Sequence, residues 1–380
     1  MITVCTHPRP EAVGQSSYDW HGCQGRRATV TKAVQLRPRN QPGLYHCYKH
    51  RARISLCYDT DMSQPRVAVL RGGASREYEV SMKTGAAVLR SLAKLQYPAK
   101  DIVITRNDEW LDGGKVRTPE LTLTGIDVVF IALHGEHGED GRVQRFLTHH
   151  CMPYTGSRAL ASATALNKSL TKELLAAQGV KTPIHQTLRA SDAPLDLATI
   201  TDRFGERVVV KPAASGSSID TYVGITPARV LEVLPELLEQ YESVLLEEYV
   251  TGREVTVGLL EGFRDTPHYL MPVIEILPPE SHDFYSYEAK YGGETRFECP
   301  GRISKKEQQA LQDITATVHT ALDLRQYSRS DFILQDGEPY FLEVNTLPGL
   351  TEHSLFPQAL QAVGSSHEAL VDHLIQNAAH

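Results

Sequence analysis

From residue 66 onward, short apolar runs alternate with longer stretches of helical spacing. The run at 66–70 predicts a strand, followed by a Gly-Gly loop and a helix of about 15 residues beginning near Glu77. Apolar runs at 101–106 (DIVITR) and 127–133 (DVVFIAL) complete a βαβ arrangement with a parallel sheet. Helical spacing over 163–178 ends at Gly179, a residue suited to a helix C-terminus. A strand at 207–212 (RVVVKP), a serine-glycine loop and a helix at about 227–241 come next. Strands at 243–250 and 253–261 flank Thr251-Gly252, which reads as a hairpin. A strand at 268–277, an irregular loop from about 278 to 300 and a helix at about 304–324 lead into a final hairpin, 328–335 and 338–345.

Residues 1–61 break this rhythm, showing neither strand nor helix periodicity. They carry nine Lys/Arg against four Asp/Glu, whereas 62–380 carry 30 against 42. Without a core-forming pattern they read as a disordered arm or a non-native upstream extension, with an organelle-targeting segment as the competing reading. The remainder is expected to divide into an N-terminal α/β domain (62–160), a central domain (161–250) and a C-terminal domain (251–380).

Composition narrows the function. The net charge of −7 argues against a general nucleic-acid binder. No apolar run approaches the roughly 20 residues of a membrane span. Six cysteines without a close pair support neither a zinc framework nor a disulfide framework, which fits a cytoplasmic setting.

The final hairpin carries the clearest chemistry. With Asp336-Gly337-Glu338 as a three-residue turn, Asp331 faces Glu343 and Arg329 faces Asn345, all on one sheet face. Phe332, Leu334, Leu342 and Val344 take the other face. Opposed Cβ atoms about 4.5–5.5 Å apart would set two carboxylates and an amide against one another, an oxygen-only set suited to Mg²⁺. The alternative is a hairpin face of solvated charges. Lys211 ends a strand before the small loop 213–218 (AASGSS), which offers N–H and hydroxyl donors to phosphates but is no Walker loop. The stretch 247–254 (EEYVTGRE) reads alone as a charged hairpin. Segments 133–141 (LHGEHGEDG) and 71–81 (RGGASREYEVS) follow predicted parallel strands, where ligands bind. His134, Glu136, His137 and Asp140 match no zinc spacing.

In order, G72-G-A-S-R-E-Y-E-V-S81, H134-G-E-H-G-E-D-G141, and Asp331 with E343-V-N-T-L-P-G-L-T-E-H-S354 resemble the D-alanine–D-alanine ligase family of the ATP-grasp superfamily. The resemblance implies a mixed α/β and α+β fold: a parallel N-terminal domain and two domains gripping ATP. It implies ATP-dependent joining of two D-alanines through a D-alanyl phosphate, for peptidoglycan precursors, in a cytoplasmic homodimer using two Mg²⁺ or Mn²⁺ ions.

The same resemblance assigns roles. Glu79 would hold the first substrate's ammonium, with His134 beside it. Lys168 and Lys211 would meet ATP phosphates, and Glu247, Glu248, Val250 and Glu254 the adenosine. Asp331, Glu343 and Asn345 would bind metal. Arg329 and the N–H of Gly349 would hold the oxyanion. Lys290, Ser354 and Leu355 would take the second D-alanine's carboxylate, Ser217 would bridge to the first substrate's surroundings, and the loop residue Tyr291 would close the site. The small loop departs from the family's usual G-S-S-V-G, with Asp220 in the last place, adding a like charge near phosphates. The rival readings are a ligase making D-alanyl-D-lactate or D-alanyl-D-serine, a catalytically inactive ATP-binding regulator, and a metallohydrolase built on His134 and His137.

Overall fold

The computed structural model describes residues 15–21, 27–33, 64–192, 194–216, 220–277 and 296–378. Met1–Ser63 and Gln64–His380 are separate compact units. In the first, β1 (Gln15–His21) pairs antiparallel with β2 (Arg27–Ala33). This pairing lies in a stretch whose sequence shows no strand period.

Among the described residues the second unit holds three sheets. In the first, β3 (Val67–Gly72) pairs in parallel with β4 (Ala99–Ile104) and β7 (Val128–Ile131), as the alternation predicts. Two short antiparallel strands, β5 (Trp110–Asp112) and β6 (Lys115–Arg117), extend the β4 edge. Val67 to Leu70 and Val128 to Ile131 are buried throughout, as parallel strands covered on both faces must be. The helix Tyr78–Lys94 packs on this sheet through Ser81, Thr84, Val88 and Leu92.

The second sheet runs β10 (Tyr222–Ile225), β9 (Val208–Pro212), β11 (Val244–Glu248), β8 (His185–Leu188). The helices Leu197–Phe204 and Pro227–Gln240 bury Ile200, Phe204, Val230 and Leu237 against it. The third sheet centres on β12 (Arg253–Glu261), flanked by β14 (Ile274–Leu277) and β16 (Tyr327–Gln335), with β13 (His268–Leu270) also on β12. β15 (Arg296–Glu298) and β17 (Glu338–Asn345) form its outer strands. Ser304 caps the helix Lys305–Ala321 through a capping box with Glu307, and that helix buries Leu311 and Val318.

Two expectations change. The strands around Thr251-Gly252 form no hairpin: β11 belongs to the second sheet and β12 to the third. The turn residues mark a crossing instead, and a Cβ on Gly252 would lie 2.5 Å from the Leu334 carbonyl oxygen. The helix expected over 163–178 is two, Ala159–Leu166 and Lys168–Ala176, divided where the Asn167 side chain caps the second. The chain end returns to the first sheet, where Leu370, Val371 and Leu374 of the helix His367–Gln376 join the β3 core.

Candidate active site

β16 and β17 meet in the register the sequence predicts at the site: Arg329 opposite Asn345 and Asp331 opposite Glu343. Nearer the turn the register differs. Gln335 pairs with Glu338, so the turn has two residues, Asp336 (φ 51°) and Gly337 (φ 84°). Two left-handed residues are what a type I′ turn requires. A bulge between Asp331 and Phe332 restores the site register by giving β17 an extra residue. Phe341 and Val344 stay in the core, while Leu342, expected on that face, lines a cavity with Glu343.

Donors surround Asp331. Arg329 gives its carboxylate two hydrogen bonds, 2.8 and 2.7 Å; Thr256 Oγ1 donates at 2.5 Å and Asn345 Nδ2 at 3.0 Å. Lys168 Nζ donates to the Ser215 carbonyl at 2.5 Å and pairs with Glu343 Oε2 at 3.1 Å. Among the described residues no three His, Cys, Asp or Glu side chains form a metal cluster. Two carboxylates and an amide nevertheless fit Mg²⁺, which takes few protein oxygens and completes its shell with water and phosphate.

Two cavities open here. One, of about 330 Å³, lies between the second and third sheets and is lined by Lys211, Glu247, Glu248, Val250, Glu254, Ile276 and Leu342. The other, of about 640 Å³, is lined by Glu77, His134, Glu139, Asn345, Gly349 and Ser354. Lys168, Ser215, Gly216, Arg329, Glu343 and Leu355 line both, so the cavities join beside the charged hairpin face.

In the smaller cavity Glu247 is 1% exposed and ion-paired to Lys172 (2.8 Å) and Lys211 (2.6 Å). Burial works against its charge, but the two lysines outweigh it and pull its pKa down to about 2. Lys172, fully buried, is pushed down by that burial to about 8 despite Glu247. The sequence reading missed Lys172; its position one helical turn after Lys168 was the available signal. Glu248 accepts the Ile184 N–H at 2.9 Å.

In the larger cavity Glu77, not Glu79, faces inward. Glu77 is 8% exposed, and a Cβ on either Gly135 or Gly216 would lie 2.4 Å from its Oε2. The Glu79 side chain is 70% exposed, pairs with Arg106 at 3.2 Å and lines neither cavity. Val80, Lys83, Ala86 and Arg90 line the larger cavity, and Glu77 stands three residues before Val80 on that same helical side. Glu77, not Glu79, is therefore the carboxylate that this segment presents to the larger cavity.

His134 is buried, with Nδ1 2.9 Å from the Leu347 carbonyl and Nε2 2.8 Å from Thr84 Oγ1. A carbonyl can only accept, so Nδ1 carries the proton; burial lowers the pKa and keeps the ring neutral. Both nitrogens are engaged, which removes the metallohydrolase reading. Glu139, whose pKa is raised by burial and by Glu77, accepts from Thr346 N, Thr346 Oγ1 and Leu347 N and ties this segment to the end of β17. Ser75 Oγ donates to the His134 carbonyl at 3.0 Å, joining the two glycine-bearing segments.

Ser354 stands before the helix Leu355–Ala362 and its Oγ accepts the Thr351 N–H at 3.1 Å. Asp220 faces Arg76 and Tyr241, so its charge is balanced within the protein. Ser217, Lys290 and Tyr291 lie outside the described residues.

A family model for the D-ala D-ala ligase C-terminus matches residues 174–376, and one for its N-terminus matches 115–157. A D-alanine–D-alanine ligase of Syntrophotalea carbinolica is 37% identical over 319 residues, covering 84% of this chain and 97% of that protein. One of Syntrophobacter fumaroxidans is 40% identical over 316 residues, covering 82% and 96%. Among solved structures, the Bacillus anthracis D-alanine–D-alanine ligase complexed with ATP has a TM-score of 0.68 at 28% identity, covering 82% of this chain and 96% of that one. The VanG D-Ala:D-Ser ligase of Enterococcus faecalis has a TM-score of 0.70 at 26% identity, covering 83% and 99%.

Proposed function

The chain belongs to the D-alanine–D-alanine ligase family, ATP-dependent ligases of the ATP-grasp fold, and from that premise we propose how its own residues carry out the ligation. The observation that carries the reading is the junction of the two cavities at Lys168, Arg329 and Glu343. A phosphate donor in one and a carboxylate acceptor in the other would meet only there.

ATP occupies the smaller cavity, its adenosine among Glu247, Glu248, Val250 and Glu254 and its phosphates toward Lys168 and Lys211. The first D-alanine lies in the larger cavity with its ammonium on Glu77. Its carboxylate oxygen attacks the γ-phosphorus in line; the bond to the β-phosphate oxygen breaks, giving D-alanyl phosphate and ADP. Asp331, Glu343 and Asn345 would hold two Mg²⁺ ions, which when bound neutralise charge on the phosphates. Lys168 and Arg329 contribute positioning and fixed positive charge at the same point.

The amine of the second D-alanine, once deprotonated, attacks the acyl carbon. Arg329 and the Gly349 N–H receive the oxyanion, and phosphate departs with the electron pair of the broken C–O bond. The second carboxylate lies at Ser354 and the N-terminus of Leu355–Ala362, where free N–H groups favour an anion. The dipeptide feeds peptidoglycan precursor synthesis. The family resemblance supports a cytoplasmic homodimer as the working form. Light scattering tests the stoichiometry.

Purified protein with ATP, Mg²⁺ and D-alanine should release phosphate and dipeptide in equal amounts. Parallel reactions adding D-serine or D-lactate test the acceptor, an arm motivated by the likeness to a D-Ala:D-Ser ligase. Phosphate without dipeptide, or no phosphate release, would overturn the reading.

A further inference from the structure

Asp220 occupies the place where the family resemblance leads one to expect glycine, and its φ is +53°. Glycine enters that region freely; aspartate is among the few other residues that tolerate it. The turn therefore survives the exchange and gains a carboxylate. Asp220 Oδ2 accepts from Arg76 Nη1 and from the Tyr241 hydroxyl at 2.5 Å. The Arg76 guanidinium also lies 5.6 Å from the Tyr241 ring centroid, within cation–π range. Tyr241 ends the helix Pro227–Gln240, and its N–H donates to the Leu237 carbonyl at 2.8 Å.

Arg76 immediately precedes Glu77, and Gly216 lies against the Glu77 carboxylate. Residues 216 and 220 thus each touch one member of the dipeptide Arg76-Glu77. We propose that Arg76, Asp220 and Tyr241 form a latch that fastens the small loop to the substrate-binding segment and positions Glu77 for the first D-alanine. The three are positioning residues: none lines either cavity. The role assigned to Glu77 rests on the ligase reading, whereas the latch itself is a property of the unliganded protein.

The test uses the full chain with Asp220→Asn, Arg76→Gln and the double variant. Asparagine keeps the left-handed turn, so loss of fold is not expected. In unliganded protein, amides of 213–225 should exchange about 3- to 10-fold faster in each single variant and no faster in the double, as for one shared interaction. In turnover, the apparent KM for the first D-alanine should rise about 5-fold, while the KM for the second stays within about 2-fold. Unchanged exchange in both single variants, or single effects that multiply in the double, would overturn the latch. Faster exchange with an unchanged first-substrate KM would overturn its positioning role. If the unmodified protein makes no dipeptide, the ligase reading fails, and the exchange series still decides the latch.

Discussion

Lys168 Nζ and Glu343 Oε2 lie 3.1 Å apart where the two cavities join. The pair links the first residue of the helix Lys168–Ala176 to β17 of the third sheet. Glu343→Gln keeps the shape and removes the charge. It should lower kcat by about 10²- to 10³-fold, the size expected when one electrostatic element of a transition state is lost. The Glu343 side chain is 25% exposed, so the melting temperature should change little. Turnover titrated with Mg²⁺ checks this; near-normal rates at low Mg²⁺ would count against the metal role.

Glu77 and Glu79 should separate cleanly. A charge-assisted hydrogen bond is worth about 1.5–3 kcal/mol. Glu77→Gln should therefore raise the first-substrate KM by roughly 10- to 150-fold, at about 1.4 kcal/mol per decade. Glu79→Gln removes an exposed pair with Arg106 and should change KM less than about 3-fold. Steady-state kinetics of both variants, side by side, would reverse the assignment if Glu79→Gln proved the more damaging.

Removing Lys172 should unsettle the ATP cavity from behind. Lys172→Met leaves Glu247 with Lys211 alone, and breaking a buried pair costs about 3–5 kcal/mol. The melting temperature should fall by several degrees, and the KM for ATP should rise more than that for D-alanine. Equal shifts in all three KM values would point to a general loss of structure.

The same cluster sets an acid limit. The Glu247 pKa is depressed from 4.5 to about 2, so the unfolded chain binds its proton more tightly than the folded one. Its stabilising contribution is complete above pH about 4.5 and is lost as pH falls toward 2. The gap in melting temperature between the unmodified chain and Glu247→Gln should therefore narrow below pH 4.5. A gap that stayed constant down to pH 3 would contradict the ion-pair account.

Deleting residues 1–61 should leave kcat and the ATP KM within about 2-fold. Every described residue placed at the site belongs to Gln64–His380, which is a compact unit by itself. A large fall in kcat on truncation would show that the segment contributes to the site.

Several features needed only the chain. The parallel β3–β4–β7 arrangement follows from apolar runs separated by a helical period, because buried strands and one-sided helices leave different spacings. That Arg329 and Asp331 share one face of their strand follows from side chains alternating with period two, whereas their facing Asn345 and Glu343 depends on a bulge that offsets the shorter turn. Motif order carried the family, and with it the identity of the ATP-contacting and metal-binding candidates.

What escaped the sequence depended on distant partners. Whether Glu77 or Glu79 enters the cavity is set by which side of Tyr78–Lys94 meets Gly135 and Gly216, residues far along the chain. Thr251-Gly252 has the composition of a hairpin turn, yet β12 finds β16 and β14 as its neighbours, since side-chain burial in the third sheet outweighs local turn preference. Leu342 enters a cavity because a two-residue turn and a bulge compensate, and the count of turn residues alone cannot reveal both. Asp220 read as a charge near phosphates; only tertiary packing supplied Arg76 and Tyr241 to receive it. Periodicity fixes which face a residue occupies on its own element, whereas the neighbour that face meets is decided when separate elements close together and each buried charge must find its partner.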